Sequence, residues 1–214
     1  MGIAGYFAQL AQNETDKWQP GQRPPSVAQI DRAANYFSGS LYYASSNPLA
    51  LEGAGAIALA RMRASKIPRE ALAATRDAST RFRQALRQRP TSPFLWANLA
   101  LTKLYLDEID GELLTALRHA DELGPWEPTV QQTILFVGLA VWQDLDPGLR
   151  RALEQTLQRG ASRNIAKMYE IVKSYARLDL VCAIPEYKLI AGSNCGKIAE
   201  NLSPREPKYK GNGR

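Results

Sequence analysis

The chain has few of the residues that most reaction centres need. In 214 residues there is one histidine, His119, and there are two cysteines, Cys182 and Cys195. Any histidine triad or His/Cys metal cluster would have to pass through His119, and two cysteines 13 positions apart with that histidine far away make no zinc pattern. His119 itself lies in ALRHADEL, near the C-terminal end of a helical stretch where the helix dipole favours a cation, so a surface position accounts for it. A glycine-rich phosphate loop is missing too. GAGA, Gly53 to Ala56, has no lysine after it and no strand before it, and reads instead as a site of close helix packing. No window reaches the roughly 18 consecutive apolar residues of a membrane span. The opening GIAGYFAQLAQ has neither a basic leader nor an unbroken apolar core, so it is no export signal.

Strand-forming residues are also in the minority. Hydrophobic residues make up 45% of the chain, but Ala and Leu carry that share rather than Val, Ile and the aromatics, which favours helix over sheet. The formal charge of +6 suits an anionic partner. Part of the excess falls in the last stretch, SPREPKYKGNGR, whose Pro, Gly and charge content predicts a disordered basic tail over 202–214. Another part is Arg76, Arg81, Arg83, Arg87 and Arg89, along one helical stretch with few acidic neighbours. These arginines read either as the solvated face of an amphipathic helix or as a basic face for an anionic glycan. No nucleic-acid motif accompanies them, so no nucleic acid is expected as a partner.

Internal similarity organises the rest. NPLALEGAGAIALARM from Asn47, SPFLWANLALTKLYL from Ser92, EPTVQQTILFVGLAVW from Glu127 and RNIAKMYEIVKSYARL from Arg163 align on Pro48, Pro93, Pro128 and Asn164, with steps of 45, 35 and 36. Two of the steps approach the tetratricopeptide period of about 34. The extra length of the first is assigned to the loop ASKIPRE, Ala64 to Glu70. Each proline should open the first helix of a pair, with Asn47 and Ser92 as caps, because the missing N–H would be unpaired there anyway. The second helices follow at Ile109 to Leu123 and from Asp146–Pro147 to about Arg159. Before the repeats, Val27 to Ser45 has an apolar helical face but no first-helix partner of the same type. The expected fold is all-α: a tetratricopeptide-like right-handed helical solenoid of roughly three to four helix pairs. Residues 1–25 would form a capping segment, with a short helix over 4–17 and the turn QPGQRPPS after it, 26–181 the repeats, and 182–201 a C-terminal cap with a disulfide loop.

ELGPWEP, Glu122 to Pro128, is read as the joint between two pairs. Gly124 would end one helix in the left-handed conformation, Pro125 would prevent its continuation and Pro128 would open the next. Trp126 should pack over the adjoining helix ends. Cys182 and Cys195 enclose AIPEYKLIAGSN, which shows no helical period. A bridge between them would close a loop of about 14 residues, contribute roughly 3 kcal/mol and suit an oxidising compartment; the alternative is two unrelated cytosolic thiols. The acidic run Asp107, Glu108, Asp110 and Glu112 could be read as paired glycosidase carboxylates. Its place in a helix–helix turn, where acids favour the start of the next helix, points to a structural use.

The run LWANLALTKLYLDEIDGELLTALRHADELGPWEPTVQ, Leu95 to Gln131, resembles the VpsP-like family of bacterial exopolysaccharide biosynthesis proteins. The shared arrangement is a WANLAL helix with Lys, an acidic turn, an Ala- and Leu-rich helix and then LGPWEP, clearest over residues 82–160. The resemblance implies a tetratricopeptide-like helical protein of polysaccharide assembly, with an N-terminal membrane anchor and an envelope location. It supplies no catalytic residues. This sequence has no such anchor, so the expectation is periplasmic or envelope-associated if an anchor has been removed and cytoplasmic otherwise. The expected activity is that of a non-enzymatic adaptor, without cofactor or metal, for a protein of the assembly system; direct binding of an anionic polysaccharide is the alternative. If the prolines open the first helices, the inner curve holds Glu52, Ala97, Gln132 and Met168, then Ala56, Leu101, Phe136 and Val172. That makes it mostly apolar and suited to a helix or tail of a partner; the alternative is that the curve closes tightly and these residues are core.

Overall fold

The computed structural model describes residues 2–18, 24–192 and 195, and among them it contains eleven α-helices and no strand. The first helix, α1 (Ile3–Thr15), packs along α2 (Val27–Tyr43), with the Phe7 ring against Gly39. So α2 is covered by a short capping helix, which the sequence reading places at about residues 4–17. Helix α1 buries Ala8 and Ala11. Ser26 and Gln29 form a reciprocal capping box that fixes where α2 begins.

Three long antiparallel associations come next: α3 (Pro48–Ala64) with α4 (Pro68–Gln88), α5 (Pro93–Tyr105) with α6 (Gly111–Leu123), and α7 (Pro128–Ala140) with α8 (Pro147–Gly160). Proline is the first residue of α3, α5, α7 and α8, as expected. Asn47 accepts from the Leu49 and Ala50 N–H groups, and Asp146 from those of Gly148 and Leu149. Ser92 occupies the capping position without capping; its buried hydroxyl has no partner among the described residues. The long first step also has a different origin from the one expected. Helices α3 and α4 have 17 and 21 residues, against 13 each for α5 and α6, while the loop is only 65–67. Pro68 opens α4 within ASKIPRE, so the insertion is helical.

Glycines set how closely these helices approach. A Cβ on Gly53 would lie 2.1 Å from the Phe37 ring, and one on Gly55 would lie 2.6 Å from that of Phe82. GAGA is therefore a packing site. Gly124 is not left-handed (φ −133°, ψ 48°); it is small because Pro93 Cβ would be 2.6 Å from any Cβ placed there. The non-glycine residues with positive φ near helix ends are instead Asp107 after α5 and Ala176 after α9 (Ile165–Ser174).

Two short helices, α10 (Asp179–Cys182) and α11 (Pro185–Ala191), pack on α9. Helix α11 lies inside the stretch read as lacking a helical period. Its buried Ile184, Tyr187 and Ala191 are spaced as one helical face, too short a run to stand out in sequence. Tyr187 donates its hydroxyl hydrogen to the Leu157 carbonyl at 3.0 Å, tying α11 to α8. Cys182 and Cys195 are joined in a disulfide with Cα atoms 5.5 Å apart. The predicted tail, 202–214, lies outside the described residues.

Candidate functional site, a cleft along the first helices

Helices α5, α7 and α9 lie side by side, each contacting the next. Their outward residues enclose an open cleft of about 420 Å³, completed by Arg63 from the last turn of α3. Helix α5 contributes Leu101 and Tyr105, α7 contributes Thr129, Gln132, Thr133 and Phe136, and α9 contributes Lys167, Glu170, Ile171 and Ser174. The α7 set recurs at i, i+3, i+4 and i+7, one face of a helix. The Phe136 ring meets Tyr175 edge to face with centroids 5.6 Å apart. Burial, with Tyr105 close by, pushes the Tyr175 phenol above its ordinary pKa, so its hydroxyl stays neutral.

Three of the expected inner-curve residues, Leu101, Gln132 and Phe136, line this cleft. Ala97, Met168 and Val172 do not; they are buried in the core. The α9 residues in the cleft, Lys167 to Ser174, stand 38 positions after Thr129 to Phe136, not the 36 of the alignment. Two residues on an α-helix amount to roughly 200° of rotation, enough to exchange one face for the other. The cause is the end of the row: α9 is succeeded by the short α10 and α11, and its apolar Met168, Tyr169 and Val172 bury against them. Glu52 is held within the α3–α4 unit by Arg89, whose Nη1 is 2.9 Å from the carboxylate. Burial, only partly offset by Arg89, raises the Glu52 pKa. The lining surface is mostly apolar, as expected, but the residue types are mixed. Leu101, Tyr105, Phe136 and Ile171 share it with four uncharged polar residues and with Arg63, Lys167 and Glu170.

A second polar centre lies at the α5–α6 corner, and its central residue was not singled out from the sequence. The Lys103 side chain is 1% exposed, yet its Nζ lies 3.0, 2.9 and 2.9 Å from carboxylate oxygens of Glu108, Asp110 and Glu112. Arg83 reaches across from α4 to make a two-point contact with Glu112 at 2.8 and 2.7 Å. Burial alone would lower the Lys103 pKa, but hydrogen bonds to Asp110, Glu112 and Glu108 outweigh it and raise the pKa. The Arg83 hydrogen bond, opposed by partial burial and assisted by Lys103, brings Glu112 down to about 2. Asp110 is lowered by Lys103 and caps α6 through the Glu112 and Leu113 N–H groups. Carboxylates held ionised in this way clamp a corner and are poor general acids, which need a raised pKa.

The arginine face is divided. Arg81 pairs with Asp77, Arg83 with Glu112 and Arg89 with Glu52, leaving Arg76 and Arg87 without an ion pair among the described residues. At the ELGPWEP joint, Trp126 is 56% exposed instead of packing over the helix ends. The joint is held by Gln131, a buried amide that donates to the Pro125 carbonyl at 2.8 Å and accepts from Asn164 at 3.0 Å. His119 lies half-exposed on α6 with its ring against Trp96, a surface helix position as expected.

Among the described residues no helix is long and apolar enough to cross a membrane, and no group of His, Cys, Asp and Glu could hold a metal ion. No protein-family model and no curated protein matches the chain.

Proposed function

We propose that this chain is a non-enzymatic adaptor, a tetratricopeptide-like right-handed solenoid whose cleft receives a short segment of another protein. The observation that carries the reading is that three neighbouring helices, α5, α7 and α9, line one open cleft of mixed apolar and polar character. Repeated helix pairs lend their shared inner side to peptide binding in this way. The partner is placed in bacterial envelope exopolysaccharide assembly or export by the resemblance over residues 82–160. The location proposed is the periplasm or envelope, which the Cys182–Cys195 disulfide suits. Attachment to a membrane would come only through an anchor outside this sequence. Direct capture of an anionic glycan has less support, since three of the five arginines in its basic face already have carboxylate partners.

Crosslinked purification of the native protein from its own cells tests the reading, run beside a Gln132→Trp variant that fills the cleft. Recovery of envelope polysaccharide proteins with the native chain and not with the variant is the expected result. Equal recovery with both would remove the cleft from the interaction, and recovery of cytosolic proteins alone would remove the proposed setting.

A further inference from the structure

The cleft has charged groups on its outermost helices and none on the helices between them. Arg63 comes from the end of α3 and Lys167 from the first turn of α9, and neither has an ion pair among the described residues. The single carboxylate in the lining, Glu170, has Lys173 3.8 Å away. Between the two cations, α5 and α7 offer hydroxyl, amide and apolar groups. The volume of about 420 Å³ is at the small end of the roughly 300–1,000 Å³ of ligand pockets. A volume of this size takes a few residues rather than a long segment, and extended residues would present polar and apolar side chains alternately to such a mixed lining.

Resting on the adaptor reading, we infer that the occupant is a short acidic segment in extended conformation. Its carboxylates meet Arg63 and Lys167, and an adjacent apolar side chain rests on Leu101, Phe136 and Ile171. The sign of the lining selects against basic segments, including the chain's own SPREPKYKGNGR. Both cations are solvent-exposed, so they discriminate between segments more than they add affinity, and added salt weakens the preference.

The test is selection from a phage-displayed library of random octapeptides on the full chain, repeated on Arg63→Gln/Lys167→Gln and on Gln132→Trp. Enriched sequences should carry Asp or Glu beside an apolar residue. Their affinity should fall about tenfold on the double variant, in line with the loss of two exposed charge contacts. Enrichment without acidic bias, or acidic peptides that bind the double variant as well as the native chain, overturns the inference. Gln132→Trp separates this from failure of the adaptor reading. Peptides that lose binding to it but show no acidic bias leave the cleft a peptide site, and only the acidic assignment falls. Peptides indifferent to it, or no enrichment at all, bring down both.

Discussion

At the α5–α6 corner, Lys103 acts as a buried cation shared by three half-exposed carboxylates. Removing it would leave those carboxylates facing one another across a desolvated gap. Breaking a fully buried pair costs roughly 3–5 kcal/mol, and the partial exposure of these acids reduces that to about 2–3 kcal/mol for Lys103→Met, read from urea unfolding. Adding Glu112→Gln to that variant should recover part of the loss, because it removes one of the repelling charges. The corner also has a pH signature. The folded pKa of Glu112, about 2, is below its ordinary 4.5, and Asp110 is lowered as well. Their stabilisation is therefore fully present above about pH 4.5 and is lost as the pH falls towards 2. Lys103 and Arg83, both raised, lose theirs only in the alkaline range. The urea midpoint of the native chain should drop more between pH 6 and pH 3 than that of Glu112→Gln. The acidic turn was legible in the sequence as structural, but its organising lysine was not. Lys103 sits in an otherwise apolar helix, and only the fold brings α4 and the turn around its ammonium group.

The starts of the helices were more legible than their ends or lengths. Proline after a polar residue marks a start locally, through chemistry confined to one turn, and all four such starts of the long paired helices from α3 to α8 are in place. Gly124 could not be read in the same way, because its constraint comes from Pro93, some thirty positions away in the chain. Helix lengths in α3 and α4 were hidden because nothing in ASKIPRE forbids helix on either side of a three-residue turn. Ala176 has φ 55° where an alanine is strained. Ala176→Gly should stabilise the chain by about 1 kcal/mol, measured by thermal unfolding. At Gly53 the sign reverses. The Phe37 ring fills the space a methyl group would need, so Gly53→Ala should cost about 1–3 kcal/mol in the same measurement.

Across the molecule, the buried side chains fall into three clusters in chain order: α1 to α3, then α3 to α8, then the end of α7 to α11. Trp142 touches both of the last two, with the Arg177 guanidinium 4.4 Å over its ring. The disulfide serves only the last cluster. Cys182→Ser/Cys195→Ser should lower the stability of that end by up to about 3 kcal/mol, seen as faster proteolysis beyond α9 while the α3–α8 region resists as before. The all-α class was evident in composition, and part of the cleft lining, Leu101, Gln132 and Phe136, was named from the aligned segments. The rotation of α9 was not evident, because it depends on the short helices α10 and α11 rather than on any property of α9 and its aligned segments. Nearly all the packing joins helices adjacent in the chain or one removed. Few distant segments must therefore find one another before contacts reward them, which favours early formation of the helix–helix contacts. In the reverse direction, because the buried clusters follow one another along the chain, the end clusters should open at a lower denaturant concentration than the α3–α8 cluster between them.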